Sequence, residues 1–213
     1  QYIKERGRFS EQRAIEIIIQ VTEALQYAEK KNLVHRDIKP ENIMIAEDGV
    51  KLCDLGLAKN TADRIDITAP GVVLGTPSYV SPEQAIGKDD LDIRSDIYSL
   101  GITFFEMVTG SLPFQGNTIM SIIQQHLYNA IPSPQQMNKT LSPEVCAIII
   151  KMMEKNKSDR YQSPLELLID LKKCPTSSLD GIHDTCLDIM VEMHYKKLIK
   201  QDANLRPSDS III

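Results

Sequence analysis

The sequence is short of cysteine, and the cysteines that it has are not spaced in pairs. Of its 213 residues only 4 are cysteines, and they are widely scattered: Cys53, Cys146, Cys174 and Cys186. Disulfide-stabilised domains and structural zinc sites usually show cysteines at short, repeated spacings. The pattern therefore favours reduced thiols in a cytosolic setting over a disulfide framework.

Long apolar segments are also missing. No apolar run in the sequence approaches the roughly 20 residues of a membrane-spanning helix. The first residues do not show the basic and then apolar pattern of a signal peptide. We therefore expect no membrane segment within this chain and a cytoplasmic location, while an anchor elsewhere in a longer gene product stays open.

The chain has no excess of positive charge. Its 24 Lys and Arg residues face 29 Asp and Glu residues, which gives a net charge of −5 and a pI of about 5.4. Proteins that bind nucleic acid through a general electrostatic surface are usually basic. We therefore expect no nucleic-acid partner. The 42% hydrophobic content is ordinary for a globular protein and allows one core with an appendage, or two small domains.

Two short apolar runs predict a β-hairpin beside a cluster of polar residues. The runs 43–45 and 50–53 flank a turn that ends at Gly49, as in a strand–turn–strand unit. Such a hairpin would bring three oxygen-bearing side chains to one edge: Asp37, Asn42 and Asp54. Mg²⁺ takes hard oxygen ligands and shares them with phosphates. The pattern therefore predicts a magnesium–nucleotide site.

A longer series of motifs surrounds this site in a fixed order. The series is His35-Arg36-Asp37, Lys39-Pro40-Glu41-Asn42, Asp54-Leu55-Gly56, Gly75-Thr76-Pro77-Ser78-Tyr79, Ser81-Pro82-Glu83, Ser95-Asp96-Ile97-Tyr98-Ser99-Leu100-Gly101 and Asp159-Arg160-Tyr161. It resembles the eukaryotic-type protein kinase family in its bacterial-style serine/threonine form. The resemblance covers roughly residues 1–173. It implies a fold that is mainly α with a small β-hairpin, the large C-terminal lobe of a protein kinase.

The resemblance implies a role for each polar residue of the predicted site. Asp37, in the catalytic loop 35–42, would accept the proton of the attacking hydroxyl, and Lys39 would offset charge on the transferred phosphate. Asn42 and Asp54, the latter in the metal loop 54–56, would hold the Mg²⁺ (or Mn²⁺) that accompanies ATP. Leu55 stands where many relatives have Phe but leaves the ligand Asp54 intact. Each residue alone would read as a solvated loop residue; together they favour the catalytic interpretation.

The resemblance also assigns residues to the nucleotide and the substrate. Met44 and Cys53 would line the adenine pocket, although these two would be buried apolar residues in any case. Lys39, Asn42 and Asp54 would contact the nucleotide at its phosphates. Gly75, Thr76 and Pro77 would contact a protein substrate beside its Ser or Thr. This segment and the Lys39 motif match serine/threonine kinases better than tyrosine kinases.

Regulation would act through the activation segment 54–83. Arg36 has a fork suited to phosphate, and in many family members this arginine binds a phosphorylated residue of that segment. Thr68 is the first candidate for phosphorylation and Thr61 is the second. The kinase could add this phosphate to itself. An unmodified loop threonine is an equally acceptable interpretation.

Three further residues have structural roles by resemblance. Glu83 and Arg160 would form an ion pair that supports the fold, and Asp96 would brace the backbone of the catalytic loop. Around them, apolar spacing predicts helices at about 11–30 and 95–109, the second ended by Gly110.

Some kinase motifs do not occur in these 213 residues. There is no Gly-x-Gly-x-x-Gly loop, no strand lysine of the Val-Ala-Ile-Lys type and no partner glutamate. We therefore expect a large lobe (1–173) without its small lobe, at best weakly active alone. Residues 174–213 would form a linker and an appendage with one extra helix.

Two other functions remain open at this point. One is a non-catalytic kinase-like module that binds partner proteins. The other is a small-molecule phosphotransferase with a related lobe. The retention of Asp37, Lys39, Asn42 and Asp54 weighs against the first, and the long segment through Ser81-Pro82-Glu83 weighs against the second.

Overall fold

A computed structural model describes residues 7–46, 49–53 and 77–174. These residues form a helical body and one two-stranded sheet. The elements in chain order are α1 (Glu11–Lys30), a 3₁₀ turn (Pro40–Asn42), β1 (Ile43–Ala46), β2 (Gly49–Leu52), a second 3₁₀ turn (Pro77–Tyr79), α2 (Pro82–Ala85), α3 (Ile93–Thr109), α4 (Ile119–Tyr128), α5 (Pro134–Met137), α6 (Pro143–Met152) and α7 (Pro164–Leu171). The prediction of a mainly helical fold with one small hairpin is confirmed.

Helix α1 begins where the sequence predicts it. The hydroxyl of Ser10 accepts a hydrogen bond from the backbone N–H of Arg13 at 3.3 Å, which satisfies one of the exposed donors of the first turn. One broad apolar face of the helix is buried against α3, α7 and β2. Gln20 lies on that face and its Oε1 accepts from the N–H of Val50 at 2.9 Å, which fixes the hairpin to the helix.

Helix α3 is the centre of the core. It is apolar nearly all round, as expected of a helix surrounded by other elements, and its buried residues include Ile97, Leu100, Phe104 and Phe105. Gly110 ends it in the left-handed conformation at φ 78°, as predicted. A Cβ there would also lie 2.8 Å from the carbonyl oxygen of Gly7.

The hairpin has the predicted antiparallel register. Ile43 pairs with Leu52 and Ala46 pairs with Gly49, while the turn residues Glu47 and Asp48 lie outside the described residues. The strands therefore place residue 42 and residue 53 next to each other, at the open end of the hairpin.

A glycine inside α3 allows the close approach of α6. A Cβ at Gly101 would lie 2.8 Å from Cβ of Met152 and 3.0 Å from Cγ of Met153. Alanine in a helix interior usually gains roughly 0.5–1 kcal/mol over glycine, but overpacking a core costs about 1–3 kcal/mol. We therefore expect Gly101→Ala to lower the free energy of unfolding by about 1 kcal/mol, measured by urea denaturation. An alanine variant as stable as the original would show that the α3–α6 contact has room to spare.

The division at residue 174 remains a prediction. Cys174 is the last described residue before 175–213, so the appendage lies outside the described part of the chain. Within residues 7–46, 49–53 and 77–174, none of the helices has the length and apolar character needed to cross a membrane.

Candidate active site

The backbone of the catalytic loop is held by a buried aspartate from α3. Asp96 Oδ2 accepts from the N–H of His35 at 2.7 Å, and Oδ1 accepts from the N–H of Arg36 at 2.8 Å. Burial raises the pKa of Asp96 to about 7, while the two N–H groups and the charge of Arg36 oppose the rise. Because both oxygens are acceptors, Asp96 fixes two successive peptide groups of the loop. The bracing role of Asp96 stays a prediction, and these two contacts are the ones through which it would act.

Arg36 has an unusual backbone conformation. Its φ is 68°, in the left-handed region that non-glycine residues seldom adopt. Such residues persist where surrounding contacts determine them, and they cluster at functional sites. Here the N–H contact with Asp96 holds Arg36 and directs the chain into Asp37.

His35 ties the catalytic loop to the end of the hairpin. Its ring is fully buried, its Nδ1 accepts from the N–H of Asp37 at 3.3 Å, and its Nε2 lies 3.0 Å from the carbonyl oxygen of Cys53. An Nδ1 that accepts a hydrogen bond places the ring proton on Nε2, which therefore donates to Cys53. The N–H of Cys53 in turn donates to the carbonyl oxygen of Asn42 at 2.8 Å. Residue 53, which precedes Asp54, is thus fixed beside the loop.

Asp37, Lys39 and Asn42 form one cluster of polar side chains. Asp37 Oδ2 is 2.9 Å from Lys39 Nζ and 3.1 Å from Asn42 Nδ2. Asn42 Nδ2 also donates to the carbonyl oxygen of Asp37 at 2.7 Å. The side chains of Asp37 and Lys39 are 27% and 19% exposed, so both can reach a ligand from solvent. The cluster offers an acid, a cation and an amide oxygen within one small volume.

The predicted nucleotide contacts on the hairpin have different surroundings from those expected. Met44 is 55% exposed, and the neighbouring Ile45 is 45% exposed. The expectation that Met44 is buried in any case is therefore wrong. Met44 and Ile45 point to opposite faces of β1, and the hairpin contacts α1 mainly through its other strand, β2. Cys53 is partly buried.

The predicted structural ion pair connects α2 with the segment before α7. Arg160 Nη1 lies 2.7 Å from Glu83 Oε1 and its Nη2 lies 2.9 Å from Glu83 Oε2, with the two side chains 0% and 6% exposed. Burial favours protonation of Glu83, but the hydrogen bonds and charge of Arg160, together with Ser95, lower its pKa overall. The pair is bidentate and almost completely shielded from solvent.

The remaining predicted site residues belong to the activation segment 54–83. Pro77 begins the second 3₁₀ turn. The others lie outside the described residues: Asp54, Thr61, Thr68, Gly75 and Thr76. Within the residues that are described, no group of three or more metal-ligating side chains is already assembled.

The turn that contains Pro77 rests on a buried histidine that the sequence reading did not identify. His126 in α4 is fully buried, its Nδ1 lies 2.9 Å from the hydroxyl of Tyr98, and Phe114 contacts its ring edge-on. No described atom completes a hydrogen bond to its Nε2. Burial first, and then the charge of Lys155, lower the pKa of His126 to about 4, although the backbone of Ser78 opposes the shift.

This histidine predicts a pH-dependent contribution to stability. An unfolded histidine has a pKa of 6.5, so between pH 6.5 and about 4 the unfolded state binds more protons than the folded state. Neutral His126 thus contributes stability above pH 6.5 that is lost as the pH falls to 4. We expect the unfolding free energy of the protein, relative to His126→Gln, to fall by up to about 3 kcal/mol across this window. Denaturant titrations at several pH values measure it.

In the comparison with His126→Gln, the contributions of the other titrating groups to the pH dependence of stability cancel. Asp96, whose raised pKa gives the opposite slope, is common to both proteins and cancels in the difference. A difference in stability that does not change between pH 6.5 and 4 would contradict a buried, neutral His126.

The helical body, the braced loop and the acid–cation–amide cluster define a protein of the kinase class. A family model described as protein kinase domain matches residues 1–169. The chain therefore belongs to the protein kinase domain family.

Curated relatives from bacteria are similar over most of the chain. The serine/threonine-protein kinase PknB of Mycobacterium leprae is 40% identical over 166 residues, which cover 78% of this chain and 26% of that protein. The probable serine/threonine-protein kinase CPE1738 of Clostridium perfringens is 41% identical over 172 residues, 80% of this chain and 25% of that protein. The chain thus spans about a quarter of the length of the curated relatives that it matches.

A solved structure shares the fold. The crystal structure of Rad53 1-466 in complex with AMP-PNP matches with a TM-score of 0.65 and 25% identity, over 78% of this chain and 41% of that one. The match supports the kinase architecture that the sequence motifs imply.

Proposed function

We propose that the protein to which this chain belongs transfers the γ-phosphate of ATP to serine or threonine hydroxyls of protein substrates. The observation that carries the proposal is the contact of one carboxylate, Asp37, with both Lys39 and Asn42, in a loop whose backbone is fixed by Asp96. Phosphoryl transfer needs little covalent chemistry from the protein, so the position of charges is what a catalyst must supply.

Asp37 is the group that would act on the substrate hydroxyl. Its carboxylate would orient the hydroxyl and accept its proton as the oxygen attacks phosphorus. Lys39, at 2.9 Å from this carboxylate, would offset negative charge on the phosphate during transfer. Asp37 and Lys39 therefore act on the two ends of the bond that forms, the hydroxyl oxygen and the phosphate.

The chemistry of the ligand atoms suits Mg²⁺. Asn42 donates from Nδ2 to Asp37, which leaves its amide oxygen as the ligand atom. Asp54 would add a carboxylate, since it follows Cys53, whose backbone is bonded to Asn42. Bound Mg²⁺, or Mn²⁺ in its place, would neutralise the charge of the ATP phosphates.

The nucleotide base would lie against the hairpin. Met44 projects an exposed apolar side chain from β1, and Cys53 lies at the end of β2. Both are at the end of the sheet that adjoins the polar cluster. An exposed thioether is a suitable surface for a flat aromatic ring.

Substrate binding and regulation would involve the activation segment. Gly75, Thr76 and Pro77 would contact the protein substrate near Asp37. Phosphate on Thr68, or on Thr61, would bind Arg36 through about one to three charge-assisted hydrogen bonds. Self-phosphorylation would supply that phosphate.

The 213 residues alone would be at most weakly active. They contain neither the glycine-rich loop nor the strand lysine that hold ATP phosphates in this family. A complete gene product that supplies both would work in the cytoplasm, where ATP is available.

Mass spectrometry tests the proposal by locating the transferred phosphate. The complete gene product is incubated with Mg²⁺, ATP and a basic protein substrate, with Thr68→Ala as a second sample. We expect phosphate on Ser and Thr of the substrate, and on Thr68 of the enzyme itself. Phosphate on tyrosine alone, or on no protein, would contradict the proposed function. If Thr68→Ala kept full activity and the same order in the activation segment, only the proposed regulation through Thr68 would be wrong.

A further inference from the structure

One side chain from α2 contacts the peptide group that immediately precedes the proposed catalytic acid. Gln84 Nε2 donates to the carbonyl oxygen of Arg36 at 2.9 Å. That oxygen belongs to the peptide bond between Arg36 and Asp37. The N–H of the same peptide bond donates to His35 Nδ1 at 3.3 Å. The peptide is therefore held on both edges, once by the loop itself and once by Gln84.

The other half of the Gln84 amide fixes the start of α2. Its Oε1 accepts from the N–H of Ser81 at 3.1 Å, and the Ser81 hydroxyl accepts from the N–H of Gln84 at 3.4 Å. These two bonds form a capping box. Because Oε1 is committed to the cap, the Nε2 group is oriented and needs little further ordering to reach Arg36.

The helix that carries Gln84 has a firm base. The preceding residue, Glu83, is bound by Arg160 at 2.7 and 2.9 Å and by Ser95 at 2.7 Å, all of them buried. Asp96, next to Ser95 in α3, holds the N–H groups of the catalytic loop. One end of α3 thus supports the loop directly, and supports it a second time through α2 and Gln84.

We propose that Gln84 is a positioning residue that orients Asp37 by holding the carbonyl oxygen of Arg36. This inference rests on the proposed function, because it concerns the acid of that reaction. Arg36 adopts φ 68°, a conformation that needs support from its surroundings. Asp96 supplies part of that support at the N–H of Arg36, and Gln84 supplies the rest at its carbonyl oxygen. The contact with Gln84 therefore makes the orientation of Asp37 depend on the placement of α2.

Two substitutions separate the halves of the Gln84 amide. Gln84→Glu keeps an oxygen for the cap but removes the donor to Arg36, whereas Gln84→Lys keeps a donor and loses the cap acceptor. In the complete gene product we expect Gln84→Glu to lower kcat by roughly three- to tenfold. This is the change in rate that corresponds to the net free energy of one hydrogen bond. The KM for ATP should stay within about twofold, because Gln84 contacts the peptide group before Asp37 and none of the residues proposed to hold ATP. Gln84→Lys should restore at least half of the loss.

Ser81→Ala is the matched control because it removes the hydroxyl half of the cap but keeps the bond from the N–H of residue 81 to Gln84 Oε1 and the bond from Gln84 to Arg36. It should lower the thermal midpoint with little change in kcat. Hydrogen exchange supplies a readout that does not need activity: amides of residues 35–42 should exchange faster in Gln84→Glu than in Ser81→Ala. Equal kcat and equal exchange in Gln84→Glu and the unmodified protein would overturn the inference.

The two proposals fail in different ways. If neither the unmodified protein nor any variant transfers phosphate, the proposed function is wrong, and the exchange rates still decide whether Gln84 holds the loop. If phosphate is transferred and Ser81→Ala loses as much kcat as Gln84→Glu, then Gln84 acts only through the stability of α2 and is not a positioning residue.

Discussion

Replacing Asp37 with asparagine in the complete gene product should lower kcat by about 10²–10⁴, the typical contribution of a positioned general base. Asparagine has nearly the same shape but cannot accept the substrate proton, and it no longer carries the charge that holds Lys39 at 2.9 Å. The loss should fall on kcat, since ATP and Mg²⁺ are held by other residues. Steady-state kinetics with a peptide containing one serine measure it.

Glu41→Gln is the matched control for this substitution. Glu41 is an exposed acid in the same loop, between Asp37 and the end of the 3₁₀ turn. It should keep both kcat and the KM for ATP. If Asp37→Asn retained kcat within about threefold, Asp37 would not be the acid that the reaction requires.

The second large effect concerns stability. Glu83→Gln should lower the free energy of unfolding by about 3–5 kcal/mol, because it leaves the buried Arg160 cation without a counter-charge. Arg160 also donates from Nε to the carbonyl oxygen of Glu154 at 2.7 Å and from Nη1 to that of Arg94 at 2.9 Å, so it cannot move out to solvent without losing these bonds. Chemical denaturation of the 213-residue chain measures the loss.

A double variant distinguishes a buried pair from two separate contributions. Replacing both members, as Glu83→Leu with Arg160→Met, should cost less than the sum of the single losses, since no buried charge is then left alone. Asp90→Asn, which breaks an ion pair with Lys157 at the surface, should leave stability almost unchanged. Equal effects for Asp90→Asn and Glu83→Gln would contradict the importance of burial.

Features with a local cause could be predicted from the sequence. The cap at Ser10 and the end of α3 at Gly110 depend on residues next to each other in the chain, and both occur as expected. The hairpin follows from two apolar runs and a glycine turn. The position of Asn42 beside Asp37 follows in turn, because a short 3₁₀ turn joins the catalytic loop to β1.

Features that depend on distant contacts could not be predicted in the same way. The bond from Gln84 to Arg36 and the placement of His126 beneath Ser78 arise only when α2, α3 and α4 pack together. The exposure of Met44 depends on which strand of the hairpin packs against the helices, which a run of apolar residues does not specify. The roles of Glu83, Asp96 and Arg160 were predicted only because the family resemblance carries long-range information.

The most direct test of protein phosphorylation by this site is phosphate transfer from γ-labelled ATP, compared in three proteins. These are the complete gene product, its Asp37→Asn variant and the 213-residue chain, each with Mg²⁺ and with a chelator. We expect label on serine and threonine with the complete product only when Mg²⁺ is present. The Asp37→Asn variant should incorporate at least a hundredfold less label, and the 213-residue chain a negligible amount. A complete product that transfers no label to protein and does not bind ATP with Mg²⁺ would contradict the proposed catalysis. It would indicate a kinase-like module that binds partners without catalysis.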